Sequence, residues 1–355
     1  MNSIADKHEF NPSGVGLKNG NFIGLPFNEQ SANIILIPVP WDVTVSFGEG
    51  TALGPKAIRE ASVQLDLIDT DVPDAWKLGI YMLQDDKSIL KKRSELRPMA
   101  LEYIEFLESG GNVATNSAMK NMRDTINSGC KEINEKVYNL SKKILDTGKL
   151  AAIIGGDHSV PLGLLQALGE KYASFGILQI DAHLDLRNSY EGFSWSHASI
   201  FHNALKIASV TKLVQAGIRD FCEEEIQAIE KEGSRISVFY DHLLKENYFG
   251  GMNWNLQCDY IIEQLPQEVY ISFDADGLNP GLCPNTGTPV PGGFEYSEIV
   301  YLLKKLVESG RRIIGFDLCE TGNHPWDSNV GARLVYKMCN LAGWSQGLMR
   351  TEIFK

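Results

Sequence analysis

Short, almost continuously apolar segments alternate with longer amphipathic ones along this chain, and that alternation constrains the fold more than any other feature. The apolar segments are as long as strands, and those between them are as long as helices, roughly 10 to 20 residues. Strands are predicted at 33–40, 150–156, 175–183, 212–218, 235–239, 268–276 and 311–320. Because most of them lack alternating polar residues, helices must cover both faces of the sheet. We therefore predict an α/β fold, a three-layer α-β-α sandwich with a mostly parallel central sheet.

The helical segments and the chain ends define the expected domain organisation. Helices are predicted at 54–62, 128–147, 161–171, 198–207, 222–232, 254–264, 295–309 and 328–342. We interpret the polar residues 1–30 as an N-terminal arm and residues 31–350 as a single domain. Residues 84–125 mix charge, glycine and asparagine with a short helical patch at 97–108, so we expect a surface excursion there.

Charge and cysteine usage exclude several classes of protein. The 355 residues carry a formal net charge of −12, and no run of lysine or arginine forms a nucleic-acid-binding patch. The six cysteines form no C-x-x-C pair, which is typical of reduced thiols in the cytosol. No apolar run approaches the ~18 residues of a membrane helix, and the first residues lack a signal peptide's apolar core. We expect a cytoplasmic protein that binds neither membrane nor nucleic acid.

Ionisable residues gather where four predicted strands end. In a parallel sheet these ends meet at one edge, which is where ligands bind. Two of the motifs follow the side-chain period of two, so their members face the same way. The residues are His158 in GGDHS, Asp181, His183 and Asp185 in DAHLD, Asp274 and Asp276 in DAD, and Glu320.

This pattern predicts a site for two divalent cations. Carboxylates packed so closely cannot all ionise unless cations compensate them, and histidine with carboxylates suits Mn, Fe, Ni or Zn. The four aspartates among the candidate ligands would balance two divalent cations, and a water between such cations ionises near neutral pH. Taken singly, each motif has a simpler interpretation: an ion-pair cluster, a solvated strand end, or a turn whose Asp and Ser cap a helix.

Together these motifs resemble the ureohydrolase family, which includes arginase, agmatinase, formimidoylglutamase and the guanidino-acid and guanidine hydrolases. The resemblance runs from about residue 33 to 342, with 84–125 as an unusual addition. It includes WDVTVSFGEGTALGPKAIREAS at 41–62 and TGTPVPGGF at 286–294. The fold it implies is that of arginase.

The resemblance also implies a ligand set. One metal would be held by His158, Asp181, Asp185 and Asp274, and the other by Asp181, His183, Asp274 and Asp276. Asp181 and Asp274 would bridge the two. The family usually uses manganese and some guanidine-hydrolysing relatives use nickel, so Mn²⁺ is expected and Ni²⁺ is the alternative.

Three residues are expected to act on the substrate. Glu320 matches the acidic residue that grips the guanidinium, and a carboxylate can pair with two of its N–H groups. His197 in SWSHAS matches the histidine that carries a proton to the leaving amine. Asp185 would orient the attacking hydroxide. The reaction would release urea and an amine or ammonia. The resemblance also implies a homo-oligomer, because members of the family commonly form trimers or hexamers.

The residues around these motifs bear on the substrate. The segment LRNSYEGFSWSHAS at 186–199 does not resemble the arginase loop that reads an α-amino acid. Arg187 resembles the formimidoylglutamase segment and could pair with an acidic substrate end or with a neighbouring carboxylate. The aromatic residues Tyr190, Phe193, Trp195 and Trp326 could line a small guanidinium pocket or simply pack.

We therefore expect an agmatinase-like hydrolase, with several alternatives left open. Within the family these are a nickel-dependent guanidine hydrolase, a guanidino-acid hydrolase, formimidoylglutamase and arginase. Outside it stand a one-metal zinc deacetylase and a metal-binding pseudo-enzyme without catalysis. The complete ligand set favours two metals and activity.

Overall fold

An eight-stranded sheet forms the centre of the computed structural model, which describes residues 10–349. The strands are β1 Ile34–Val39, β2 Ile80–Met82, β3 Leu150–Gly155, β4 Phe175–Ile180, β5 Val210–Ile218, β6 Ile236–Tyr240, β7 Glu268–Asp274 and β8 Arg312–Cys319. Their order is β2-β1-β3-β8-β7-β4-β5-β6, and every pair of neighbours is parallel. The α/β prediction is thus confirmed, and every residue of β1, β3 and β4 is buried, as strands covered on both faces must be.

Ten α-helices are described between and beside the strands. They are α1 Gly54–Ser62, α2 Lys87–Glu108, α3 Ser117–Asp146, α4 Leu162–Lys171, α5 Ile200–Ala204, α6 Glu223–Glu232, α7 Asp241–Phe249, α8 Trp254–Glu263, α9 Tyr296–Glu308 and α10 Pro325–Ser345. Helix α1 has the predicted bounds, with a proline in its first turn, where the missing N–H costs nothing. The short strand β2 and helix α7 were not predicted.

Residues 84–125 contain far more helix than the patch predicted at 97–108. They hold all of α2 and the beginning of α3, two helices that we call the α2–α3 hairpin. Pro98 lies inside α2, and the helix continues through it although the backbone there has no N–H to donate. One side of α2 is buried against the rest of the chain, including Leu96, Tyr103 and Ile104.

The N-terminal segment lies partly outside the described residues. Of the predicted arm 1–30, residues 1–9 are not described, and 11–20 are exposed. Phe22 and Leu25 are fully buried, and the Asn21 side chain accepts a hydrogen bond from the Met82 N–H of β2 at 2.9 Å. The division into an arm and a single domain stays a prediction.

Strand β8 occupies the middle of the sheet although it comes late in the chain. It lies between β3 and β7, and its Asp317 accepts hydrogen bonds from Tyr270, Ser272 and the Phe273 N–H of β7. The carboxyl ends of β3, β8, β7 and β4 are therefore side by side. Within residues 10–349, no helix combines the length and the apolar character that crossing a bilayer requires.

Candidate active site

All six predicted metal ligands converge where β3, β4 and β7 end. Two groups of donors are close enough to hold a cation each: His158, Asp181 and Asp185 form one, and Asp181, His183 and Asp276 form the other. Asp181 belongs to both groups. The ligand roles remain predictions, but the convergence on which they depend is present in the structure.

The first group surrounds one ring nitrogen of His158. His158 Nδ1 lies 3.1 Å from Asp181 Oδ2, 3.2 Å from Asp185 Oδ2 and 3.2 Å from Asp274 Oδ2. This nitrogen is buried and has no hydrogen-bond partner among the described residues. A lone pair aimed at three carboxylate oxygens fits a cation between them, so the donor set fits a divalent metal.

A chain of hydrogen bonds fixes the His158 ring from behind. Its Nε2 lies 2.9 Å from Ser272 Oγ, and that hydroxyl donates to Asp317 Oδ2 at 2.7 Å. Because the hydroxyl proton goes to Asp317, we assign the imidazole proton to Nε2, and Nδ1 is left as the free donor atom. Such outer hydrogen bonds orient metal-binding histidines in general.

The second group is held by backbone and amide donors. His183 Nδ1 lies 3.1 Å from Asp276 Oδ2 and 3.6 Å from Asp181 Oδ1. The Ala182 N–H donates to Asp276 Oδ1 at 3.0 Å, and Gln179 Nε2 donates to Asp181 Oδ2 at 2.7 Å. Each carboxylate is thus oriented without using all of its acceptor capacity.

Asp274 is placed asymmetrically between the two groups. Its Oδ2 faces His158, while its Oδ1 accepts the Asp276 N–H at 2.9 Å. Contact with the first group is clear, and the bridging role that the resemblance assigns to Asp274 stays a prediction.

The electrostatics of this cluster favour added positive charge. Burial raises the pKa of Asp185 to about 7, and burial with the Asp276 and Asp181 charges raises that of Asp274 well above its ordinary value. Burial lowers the pKa of His183, but Asp276 and Asp181 together raise it to about 12. The carboxylates therefore compete for the available positive charge, and divalent cations would supply it.

Glu320 follows β8 in a left-handed backbone conformation, with φ at 57°. Its Oε1 accepts the His158 N–H at 3.0 Å, and its buried Oε2 has no hydrogen-bond partner among residues 10–349. Burial, with Asp274 and Asp157 nearby, raises the pKa of Glu320 well above its ordinary value. One buried acceptor is thus left for a donor that residues 10–349 do not provide.

His197 lies on the wall of a cavity of about 200 Å³ that also reaches His183 and Asp185. Its buried Nδ1 has no hydrogen-bond partner in the described part of the chain. Burial lowers the pKa of His197 to about 4, so the ring is neutral near pH 7. Glu320 is not among the residues that line this wall.

The four aromatic candidates separate in the structure. Tyr190 lines the cavity, with its ring 6.2 Å from that of His197. Phe193 is fully buried against Tyr103, Trp195 packs on the core, and Trp326 is 47% exposed and donates to the Gly281 carbonyl. Only Tyr190 of the four is on the cavity wall.

Arg187 is also on the cavity wall. Its guanidinium lies 4.9 Å from the centre of the Tyr190 ring, and its Nε is 3.9 Å from Glu225 Oε2. The sequence left open whether Arg187 pairs with a neighbouring carboxylate. Glu225 is such a neighbour, but the distance from Arg187 Nε to Glu225 Oε2 is too long for a hydrogen bond.

Sequence reasoning missed several wall residues. Asp220, Phe221 and Glu225 follow β5, whose carboxyl end should have been searched by the same strand-end argument. Ser46 and Thr288 lie inside the two segments that carried the resemblance, but neither is an obvious catalytic type.

Comparison with known proteins finds one family over most of the chain. The model of the arginase family matches residues 32–340. An N(1)-aminopropylagmatine ureohydrolase of Thermus thermophilus is 30% identical, over 91% of this chain and 95% of the relative. An agmatinase of Bacillus anthracis is 25% identical, over 89% of this chain and 93% of the relative. The crystal structure of agmatine ureohydrolase from Thermoplasma volcanium superposes with a TM-score of 0.71 at 19% identity, covering 94% of this chain and 97% of that one.

Proposed function

The chain belongs to the arginase family, and from this premise we propose an agmatinase-like ureohydrolase that cleaves the guanidino group of a small cationic substrate. The products are urea and an amine. One observation carries the proposal: the unpartnered His158 Nδ1 faces three carboxylates, beside a second ligand group that shares Asp181.

The metals of this proposal are two divalent cations, Mn²⁺ first and Ni²⁺ as the alternative. When bound, they would balance the carboxylate charge and lower the pKa of a water molecule toward neutrality. Metal analysis of the purified protein should give two ions per chain. A single ion would favour the deacetylase alternative.

Glu320 and Asp185 would position the reactants. The free Glu320 Oε2 is a buried acceptor, and a guanidinium N–H would satisfy it in a charge-assisted hydrogen bond. Asp185, on the cavity wall, would accept a hydrogen bond from the attacking water and aim its oxygen at the guanidinium carbon.

His197 would move the proton. Because its pKa is lowered, the ring is neutral before reaction and can accept a proton from the water side. It would then donate that proton to the leaving nitrogen as the C–N bond breaks. Proton transfer of this kind contributes typically 10²- to 10⁴-fold to a rate.

A cationic tail is the favoured substrate feature. Asp220 and Glu225 place two carboxylates on the cavity wall, and the net charge of −12 attracts cations to the protein. Agmatine and its aminopropyl derivative carry such a tail, and the printed names of relatives include both. Arginine and guanidinobutyrate carry a carboxylate, which Asp220 and Glu225 would repel.

Free guanidine is a second candidate for one specific reason. Arg187 stands on the same small wall, and its positive charge opposes an incoming ammonium. A substrate without a tail would avoid that repulsion.

The deciding experiment is a urea-release screen of agmatine, aminopropylagmatine, arginine, guanidinobutyrate, guanidinopropionate and guanidine, with Mn²⁺ and with Ni²⁺. We expect the highest kcat/KM with agmatine or its aminopropyl derivative. A clear preference for guanidine would select the second candidate. No urea from any substrate with either metal would leave the pseudo-enzyme interpretation. The assembly, proposed as a trimer or hexamer, is tested by light scattering on the same protein.

A further inference from the structure

The two loops that border the cavity both touch the α2–α3 hairpin. One loop is 42–50, which places Ser46 on the cavity wall, and the other is 186–199, which places Arg187, Tyr190 and His197 there. Neither loop is a helix or a strand over most of its length, so its shape depends on contacts with its surroundings.

Helix α2 holds the 42–50 loop through two arginines. Arg93 Nε donates to Asp42 Oδ1 at 2.5 Å, and Arg93 Nη2 donates to Asp42 Oδ2 at 3.1 Å, in a two-pronged pair. The same fully buried carboxylate accepts the N–H groups of Gly50 and Ala52 at 3.1 and 3.3 Å. One aspartate therefore ties both ends of the loop to α2.

Arg97, one turn further along α2, holds the middle of the same loop. Its Nη1 donates to the Val43 and Val45 carbonyls at 3.0 and 2.7 Å, and its side chain is only 7% exposed. Ser46 follows Val45 directly, so the guanidinium fixes the backbone one residue before the cavity wall.

Helix α3 holds the 186–199 loop through one asparagine. Asn127 Nδ2 donates to the Gly192 carbonyl at 3.0 Å, and Asn127 Oδ1 accepts the Ser194 N–H at 2.9 Å. A Cβ at Gly192 would lie 2.8 Å from the Arg123 side chain, so the loop approaches α3 more closely than other residues would allow. Tyr190 precedes the two residues that Asn127 contacts, and His197 follows them.

We infer that the α2–α3 hairpin positions the cavity wall for catalysis, with Arg97 and Asn127 as positioning residues. It sets Ser46 on one side and the Tyr190–His197 segment on the other. This inference rests on the proposed function for its catalytic meaning, because positioning matters only if His197 and the wall meet a substrate. Small misplacements of reacting groups are known to cost large factors in rate.

The test uses Asn127→Ala, with Asn121→Ala as the matched control on the exposed face of α3. We expect Asn127→Ala to lower kcat about tenfold at unchanged metal content, since His197 loses its alignment. Asn127→Asp keeps the acceptor for Ser194 N–H, so it should recover part of the loss. Arg97→Met should act mainly on KM, because the proposed reaction assigns no proton transfer to Ser46.

Amide hydrogen exchange supplies a readout that does not need activity. Asn127→Ala should speed exchange through residues 190–197, whereas Arg97→Met should speed it through 42–50, and Asn121→Ala should change neither. If the wild type releases no urea, the proposed function fails while this comparison still decides the inference. The inference would be overturned if Asn127→Ala left exchange unchanged in residues 195–197. In an active enzyme it would also be overturned by a kcat of Asn127→Ala within twofold of wild type.

Discussion

The ligand cluster and the cavity wall are built in opposite ways. The ligands stand on or directly after strands β3, β4 and β7, so the sheet sets their positions. Some of their hydrogen bonds are local, such as Gln179 to Asp181, and others come from a different strand, such as Ser272 to His158. The wall is built from loops whose shape is fixed by residues far away in sequence: Arg97 lies 52 residues from Val45, and Asn127 lies 65 residues from Gly192. The ligand cluster therefore depends on regular strands, while the shape of the cavity wall depends on contacts between loops and distant helices.

The strongest challenge to this comparison is Asp181→Asn, which removes the carboxylate shared by both ligand groups. We expect turnover to fall by more than about 10²-fold, which exceeds the loss typical when a hydrogen-bond partner of a metal ligand is removed. We also expect at least one metal to be lost. Urea release and metal content per chain are the measurements. Asp146→Asn, an exposed change at the end of α3, is the control. A variant with near-wild-type rate would contradict the shared-ligand role.

His197→Asn tests whether a wall residue takes part in chemistry. We expect kcat to fall about 10²-fold with both metals retained, because proton transfer is lost while the ligand cluster is intact. His202→Asn, a half-buried histidine on α5 away from the cavity wall, should be close to wild type. Equal rates for the two variants would remove His197 from the mechanism.

The aromatic residues give a smaller contrast between wall and surface. Tyr190→Leu should raise KM about three- to tenfold, since the ring can contact a bound cation. Trp326→Leu should leave KM unchanged, because that ring lies outside the cavity and bonds to Gly281. Steady-state kinetics with agmatine would compare them, and equal KM values would show that Tyr190 only packs.

The smallest expected effect is a pH dependence of stability. Burial lowers the pKa of His197 from 6.5 to about 4, so the unfolded chain binds a proton more readily between these values. This residue therefore contributes stability that is complete above pH 6.5 and is lost as pH falls toward 4. Metal-free His197→Asn should lose less Tm between pH 7 and pH 5 than metal-free wild type. Identical losses would mean that the folded protein leaves this ring as titratable as the unfolded chain does.

Sequence reasoning recovered the regular strands and the ligands that stand at their ends. The alternation of apolar strands and helices predicted the parallel α/β sheet, and the strand-end motif DAHLD named Asp181, His183 and Asp185. The expected extended backbone through this motif was wrong, because β4 ends at Ile180 and Asp185 has a left-handed backbone with φ at 54°. His158 and Asp276 were found by the strand-end rule, and the structure brings them into the two ligand groups. The roles of Glu320 and His197 came only from resemblance and stay predictions.

Contacts between residues far apart in the sequence could not be predicted in the same way. Helix α2 was mostly missed because its charged residues and Pro98 obscure the helical pattern of its apolar residues. The side of α2 that is buried depends on loops far away in the chain. Asp220 and Glu225 face the cavity because β5 lies beside β4. The strand-end argument could have named them as candidates, but no local pattern reveals that pairing. Contacts of this kind depend on the order of the strands in the sheet, and the pattern of a single sequence does not reveal that order.

The central place of β8 has a consequence for how the protein matures. Every candidate metal ligand has been synthesised once residue 276 is in place, yet β3 and β7 are neighbours of β8 and not of each other. A nascent chain that stops short of residue 312 thus holds a full set of ligands with the strand that spaces them missing. If these residues hold the metals as proposed, the group around His158 would be complete only once β8 has joined the sheet.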